Sequence, residues 1–111
     1  MTEGFTLAEK KNWAGAEGAF REAIRLRAEL PEAWNGLGHA LRNQKRYDES
    51  VQSYQEALRL RPNYPQALEY LGEAYVQMGK LDDARAVLER LRSLDPREAD
   101  ALAGAIGEAD K

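Results

Sequence analysis

Apolar residues recur along most of the chain at the three- and four-residue spacing of an amphipathic helix. From Pro31 onwards they form one stripe, which consists of Ala33, Trp34, Leu37, Ala40 and Leu41. A polar stretch over residues 43–46 interrupts this stripe, and a second stripe then runs until Pro62. Proline suits the first turn of a helix but disfavours a helix that continues into it. The pattern therefore predicts two helices joined by a short turn.

The same pattern returns with a period of 34 residues. The segment that begins at Pro31 aligns with the one that begins at Pro65, and Pro, Ala, Leu, Gly and Ala are identical at corresponding positions. A fixed period of this length is typical of helical repeat arrays. We predict about seven helices, no strands and a single domain, whose first repeat lacks its opening turn. The predicted divisions are residues 1–111 for the domain, about 1–30, 31–64 and 65–98 for the repeats, and about 97–107 for a capping helix.

These repeats resemble the tetratricopeptide repeat, a 34-residue helix–turn–helix unit. The matching residues of the second repeat are Trp34, Leu37, Gly38, Tyr54, Ala57 and Pro62. Those of the third repeat are Leu71, Gly72, Tyr75, Ala84, Leu88 and Pro96. The first repeat matches more weakly, through Gly4, Leu7, Ala16, Phe20 and Ala23. The resemblance implies an all-α fold, a right-handed superhelical stack of about three such repeats with a C-terminal capping helix.

Two glycines lie inside predicted helices at the same repeat position, Gly38 and Gly72. Glycine costs up to about 1 kcal/mol relative to alanine in a helix interior, so some other effect must favour it there. We expect that both glycines allow the paired helices of a hairpin to approach each other closely.

Seven of the nine aromatic residues can be assigned to two groups. Most occupy repeat positions that the packing pattern uses, so we expect them in the core. This first group consists of Phe20, Trp34, Tyr47, Tyr54 and Tyr75. Tyr70 and Phe5 lie off the apolar stripe, and they are candidates for contact with a partner.

The composition is that of a soluble globular protein, with 43% hydrophobic and 32% charged residues. Sixteen basic and 19 acidic residues give a net charge of -3, so the basic field that attracts nucleic acid or anionic lipid is missing. No apolar run is long enough to span a bilayer. We expect no nucleic-acid partner and no membrane insertion. The compartment stays open between the cytoplasm and, if a signal peptide was removed, the periplasm.

Residues able to carry out catalysis are scarce. The chain has one histidine and no cysteine, and its serines belong to second helices of hairpins whereas His39 belongs to a first helix. A nucleophile with an adjacent base is therefore not predicted. A lone histidine without carboxylates at helical spacing does not make a zinc site. We predict a protein that is not an enzyme, with no metal and no cofactor.

The resemblance implies a binding groove, because the first helices of such repeats line the concave side of the stack. The residues that it places in the groove are Phe5, Asn35, His39, Arg42, Asn43, Glu69, Tyr70, Glu73 and Gln77. Hydrogen-bonding and aromatic groups on rigid helices suit the binding of a peptide or helix of a partner protein. We interpret the chain as a monomeric protein-interaction module that acts as a scaffold or adaptor. Nothing in the sequence identifies the partner.

Relatives that bind chaperones grip a terminal carboxylate with lysine, arginine and asparagine on the first helices of three repeats. The corresponding positions of this chain hold Phe5, Gly36, Gln66 and Tyr70. Because the cations are absent, we do not transfer that function to this chain.

The alternative interpretation is a structural piece that associates with itself, as a homo-oligomer. The incomplete opening repeat favours it, since Leu7 and its neighbours are thinly covered. The predicted C-terminal capping helix argues against it, because that helix closes the other end.

Overall fold

The computed structural model describes residues 2–111, which form seven α-helices and no strand. The predicted all-α fold class is confirmed. The helices are α1 (Thr2–Glu9), α2 (Trp13–Leu26), α3 (Pro31–Asn43), α4 (Tyr47–Leu60), α5 (Pro65–Gln77), α6 (Leu81–Leu94) and α7 (Pro96–Ala109).

The helices belong to two compact units. Unit 1 extends to Pro62 and contains α1 to α4, in which each helix packs against the next one along the chain. Unit 2 spans Asn63–Lys111, where α5 and α6 pair and α7 packs against both. The prediction of a single domain stays a prediction.

The core of unit 1 is built around aromatic rings. Phe20 of α2 is fully buried and packs with Leu37 and Leu41 of α3. Tyr54 of α4 is also fully buried and lies against Gly38 of α3, where an added Cβ atom would come within 2.7 Å of the ring. Gly38 therefore allows α3 and α4 to pack closely, as the sequence predicts.

The core of unit 2 is aliphatic. Leu68 of α5, Leu91 of α6 and Leu102 of α7 are each 0% exposed. Gly72 lies under Leu102, because a Cβ atom added to this glycine would come within 2.4 Å of Leu102 Cδ2. Gly72 thus allows a close approach, but the helix that approaches it is α7 and not the paired α6.

The connections between hairpins differ in length. Four residues separate α2 from α3 and also α4 from α5, whereas Asp95 alone separates α6 from α7. The backbone N–H of Asp95 donates to the carbonyl of Leu91 at the end of α6, at 2.8 Å. Its side chain accepts from the backbone N–H groups of Arg97 and Glu98, at 3.1 and 3.3 Å. One residue therefore ends one helix and caps the next.

The three hairpin turns share one unusual backbone conformation. Lys11, Lys45 and Gly79 have φ angles of 58°, 64° and 77°, and they are separated by the 34-residue period. Glycine adopts such angles freely, but any other residue pays about 1–2 kcal/mol. The repeat thus imposes the same left-handed turn whether or not glycine is present.

The burial of the aromatic side chains divides the predicted core set. Phe20 and Tyr54 are buried, as expected. Trp34, Tyr47 and Tyr75 are only half-buried, so their assignment to the core is corrected. The indole N–H of Trp34 donates to the carbonyl of Ala28 at 2.6 Å, which holds the ring at the rim of the core.

Candidate functional site

Four of the predicted groove residues belong to α3, and their spacing places them on one face of that helix. Asn35, His39, Arg42 and Asn43 fall within about 100° around the helix axis, given the rotation of about 100° per residue. Asn43 is exposed, and His39 and Arg42 are half-buried. Asn35 is only 4% exposed, so it does not present its side chain to solvent as the sequence suggests. The accessible part of this face consists of the other three residues.

His39 is held by its neighbours as an uncharged ring. Its imidazole makes an edge-to-face contact with Trp13 of α2, with ring centroids 5.1 Å apart. Arg42 Nη2 lies 3.2 Å from His39 Nδ1, and since a guanidinium only donates, this nitrogen accepts the hydrogen bond. Burial, together with the charge of Arg42, lowers the pKa of His39 to about 4. The ring is therefore neutral at physiological pH.

Asn43 completes this short network at the end of α3. Its Nδ2 donates to the carbonyl oxygen of His39 at 2.8 Å. His39, Arg42 and Asn43 thus fix one another through hydrogen bonds within a single helix. Side chains held in this way lose little conformational entropy when a ligand contacts them.

Phe5 provides an apolar surface at the start of unit 1. The ring is 42% exposed, and it packs edge-to-face on the buried ring of Phe20 with centroids 5.0 Å apart. Phe20 therefore orients Phe5 while leaving part of the ring in water, and its role as a contact residue stays a prediction.

The remaining four predicted groove residues lie on α5 in unit 2. They are Glu69, Tyr70, Glu73 and Gln77. Their positions span an arc of about 100° around the axis of α5, on the side opposite the buried Leu71. The first three are half-buried and Gln77 is exposed. Since α3 and α5 belong to different units, the groove that joins the two faces stays a prediction.

A cleft on the other side of unit 1 was not predicted from the sequence. It lies between α2 and α4, with α3 as its floor, and its volume is about 270 Å³. A second apolar depression of about 260 Å³ adjoins it, and the two share Arg21, Trp34 and Leu37. The half-buried state of Trp34 signals this cleft, but the spacing of apolar residues assigns that side chain to the core.

Residues 2–111 hold no cluster of three or more histidine, cysteine or acidic side chains that could bind a metal ion. None of the seven helices over these residues combines the length and the apolar character that crossing a bilayer requires.

Comparison with protein families identifies the repeats. A family model described as TPR repeat matches residues 38–79, and one described as tetratricopeptide repeat matches residues 65–107. Together the two matches extend from within α3 to within α7. None of the curated proteins compared with the chain matches it.

Solved structures of low sequence identity share the fold. The TPR2B domain of yeast Sti1, in complex with pHsp70, is 22% identical, covers 96% of this chain and 92% of its own, and has a TM-score of 0.91. The second TPR domain of human RPAP3, in complex with an HSP70 peptide, is 19% identical, with 97% and 89% coverage and a TM-score of 0.86. The Yersinia enterocolitica type III secretion chaperone SycD, in complex with a peptide of the translocator YopD, is 18% identical, with 97% and 89% coverage and a TM-score of 0.85.

Proposed function

Since the chain belongs to the tetratricopeptide repeat family, we propose that it is a non-catalytic interaction module that binds a peptide or helix of a partner protein. The observation that carries this proposal is the pair of polar helix faces, one on α3 and one on α5, each opposite a buried apolar face. The yeast, human and Yersinia neighbours, which were solved with a partner or a peptide of one, support it through their common fold.

The proposed contact surface consists of the accessible predicted residues. Phe5 and Tyr70 provide aromatic anchors, and aromatic side chains with arginine commonly dominate the energy of an interface. Arg42 and Asn43 offer hydrogen-bond donors to a peptide backbone or carboxylate, while Glu69 and Glu73 on α5 favour a basic side chain. The α3 face therefore favours an acidic or carbonyl group of a partner, and the α5 face favours a basic one.

Selection of peptides from a random display library against the immobilised chain tests this function. We expect the selected peptides to bind Tyr70→Ala and Arg42→Glu at least about tenfold more weakly than wild type. Far-ultraviolet circular dichroism of both variants should show unchanged helical content, because neither change removes a fully buried side chain.

The control is Arg59→Glu, an exposed residue of α4 whose ion pair with Glu56 contributes little to stability. It should bind the selected peptides like wild type. Loss of binding with Arg59→Glu, together with normal binding by Tyr70→Ala and Arg42→Glu, would mean that the groove assignment is wrong.

Sedimentation of the free chain distinguishes the module from the self-associating alternative. Unit 2 buries Leu102 and Ile106 of α7 against its own hairpin, so the last repeat does not need a second copy to cover it. We expect a monomer at micromolar concentration. A stable dimer that excludes peptide would favour the self-associating structural piece.

A further inference from the structure

The cleft between α2 and α4 has an apolar floor that no part of unit 1 fills. Trp34, Leu37 and Leu41 of α3 form the floor, and Ile24 of α2 extends it at one end. Its volume of about 270 Å³ is below the roughly 300–1,000 Å³ of pockets that enclose drug-sized ligands. The cleft suits a single large side chain inserted from a protein segment.

This cleft and the polar face of α3 lie on opposite sides of the same helix. At about 100° per residue, the centre of Trp34, Leu37 and Leu41 lies about 140° around the axis of α3 from the centre of His39 and Arg42. A segment seated in the cleft would therefore not compete with a ligand on the polar face. The cleft is a surface separate from the proposed groove.

The two walls of the cleft carry opposite charges. The α2 wall contributes Arg21 and Arg25, and the α4 wall contributes Glu49 and Glu56 with the polar Gln52 between them. Charges along opposite edges of an apolar strip select a segment with the complementary arrangement.

The charges on these walls can exchange partners at little cost. Arg21 pairs with Glu17, Arg25 with Glu22, and Glu49 with Arg46, each within three or four residues along the chain. Such pairs at the surface contribute about 0–1 kcal/mol, so a ligand can replace one partner without a large penalty.

We propose that the α2–α4 cleft is a second docking site, which binds an amphipathic segment of a partner protein. An apolar side chain of that segment packs on Trp34 and Leu37. Acidic side chains along one edge of the segment face Arg21 and Arg25, and basic side chains along the other edge face Glu49 and Glu56. This is helix-in-groove recognition on the side of α3 opposite the proposed groove.

The probe is a synthetic helical peptide with leucine along one face, glutamate along one edge and lysine along the other, labelled for fluorescence anisotropy. Gln52→Trp fills the cleft from the solvent side without removing a core residue. Gln55→Trp places the same ring on an exposed part of α4 that does not line the cleft. We expect saturable binding by wild type and Gln55→Trp, and binding at least about tenfold weaker by Gln52→Trp.

A change of charge on the α2 wall tests the proposed orientation of the segment. The double variant Arg21→Glu with Arg25→Glu makes both walls acidic, so it should lose affinity for the mixed-charge peptide. It should gain affinity for a second peptide with lysine along both edges. Circular dichroism checks that this variant is folded. Unchanged preference between the two peptides would overturn the proposal.

Four further results would also overturn it. The first is no saturable binding by wild type, and the second is equal binding by Gln52→Trp and Gln55→Trp. Weaker binding by Tyr70→Ala, with normal binding by Gln52→Trp, would place the peptide on the proposed groove and leave only that function standing. A dimer in sedimentation that Gln52→Trp dissociates would identify a second copy of the chain as the occupant.

Discussion

The α3–α4 and α5–α6 hairpins follow one sequence pattern but fill the same space differently. Gly38 of the first hairpin packs against Tyr54 of its own second helix. Gly72, 34 residues later, packs against Leu102, which belongs to α7. The third repeat has Leu88 where the second has Tyr54, so a residue from the next helix takes up the space above the glycine. The period thus fixes the backbone of each repeat, while the side chains decide how much a repeat depends on its neighbour.

Removal of α7 should have the largest effect on this difference. A chain that ends at Asp95 lacks the buried side chains of Leu102 and Ile106, each worth about 2–5 kcal/mol in a core. We expect the amides of α5 and α6 to lose most of their protection from hydrogen exchange. Removal of only Asp110 and Lys111 is the control, since it breaks only two exposed ion pairs, Asp110 with Arg85 and Lys111 with Glu108. Equal protection in the two truncated chains would show that unit 2 does not depend on α7.

The two units should also respond to acid in opposite directions. The pKa of His39 in unit 1 is lowered to about 4 by burial and by Arg42, so the unfolded chain binds a proton more readily. Stability should therefore fall as the pH decreases from about 6.5 to about 4, by up to about 3 kcal/mol. In unit 2, burial and the charge of Asp95 raise the pKa of Glu98, and protonation of this carboxyl stabilises the fold as the pH decreases through its raised pKa.

Denaturant unfolding across this pH range tests the sign of both effects. His39→Gln cannot titrate, so its stability should depend less on pH between 6.5 and 4 than that of wild type. Glu98→Gln should raise the melting temperature at neutral pH, because it removes a half-buried charge beside Asp95. An identical pH dependence in wild type and His39→Gln would show that the histidine is not responsible.

The smallest expected effect concerns the hairpin turns. Lys45 in unit 1 and Gly79 in unit 2 adopt the same left-handed conformation, but only glycine does so without strain. Lys45→Gly should raise the free energy of unfolding by about 0.5–1 kcal/mol, and Gly79→Lys should lower it by about 1–2 kcal/mol. Lys80→Gly is the control, because Lys80 has a φ of -90° and glycine gains nothing there. Chemical denaturation measures all three.

Most of the fold follows from the sequence because it depends on periodicity. The 34-residue period and the prolines at 31, 65 and 96 locate the starts of α3, α5 and α7 as the structure has them. The left-handed turns at Lys11 and Lys45 were not predicted, since lysine gives no conformational signal. Their position could have been inferred from Gly79 through the repeat register.

The candidate site was predictable only at the level of helix faces. Helical geometry places His39 and Asn43 on one face of α3, and in the structure Asn43 Nδ2 donates to the carbonyl oxygen of His39. Helical geometry alone does not say how deeply a side chain is buried. The burial of Asn35 and the exposed edge of Trp34 were therefore not predicted. Depth depends on contacts between helices that are distant in sequence, and the spacing of apolar residues along one helix does not contain them.

The single-residue junction at Asp95 has a consequence for protein engineering. The starts of α3 and α5 are 34 residues apart, whereas those of α5 and α7 are only 31 apart. Inserting three residues after Asp95 would restore the 34-residue spacing and give this junction the length of the other two. Such an insertion would remove the side-chain cap that Asp95 now gives α7, a cap that α3 and α5 also lack. The junction is therefore the position at which the array could be lengthened by further repeats.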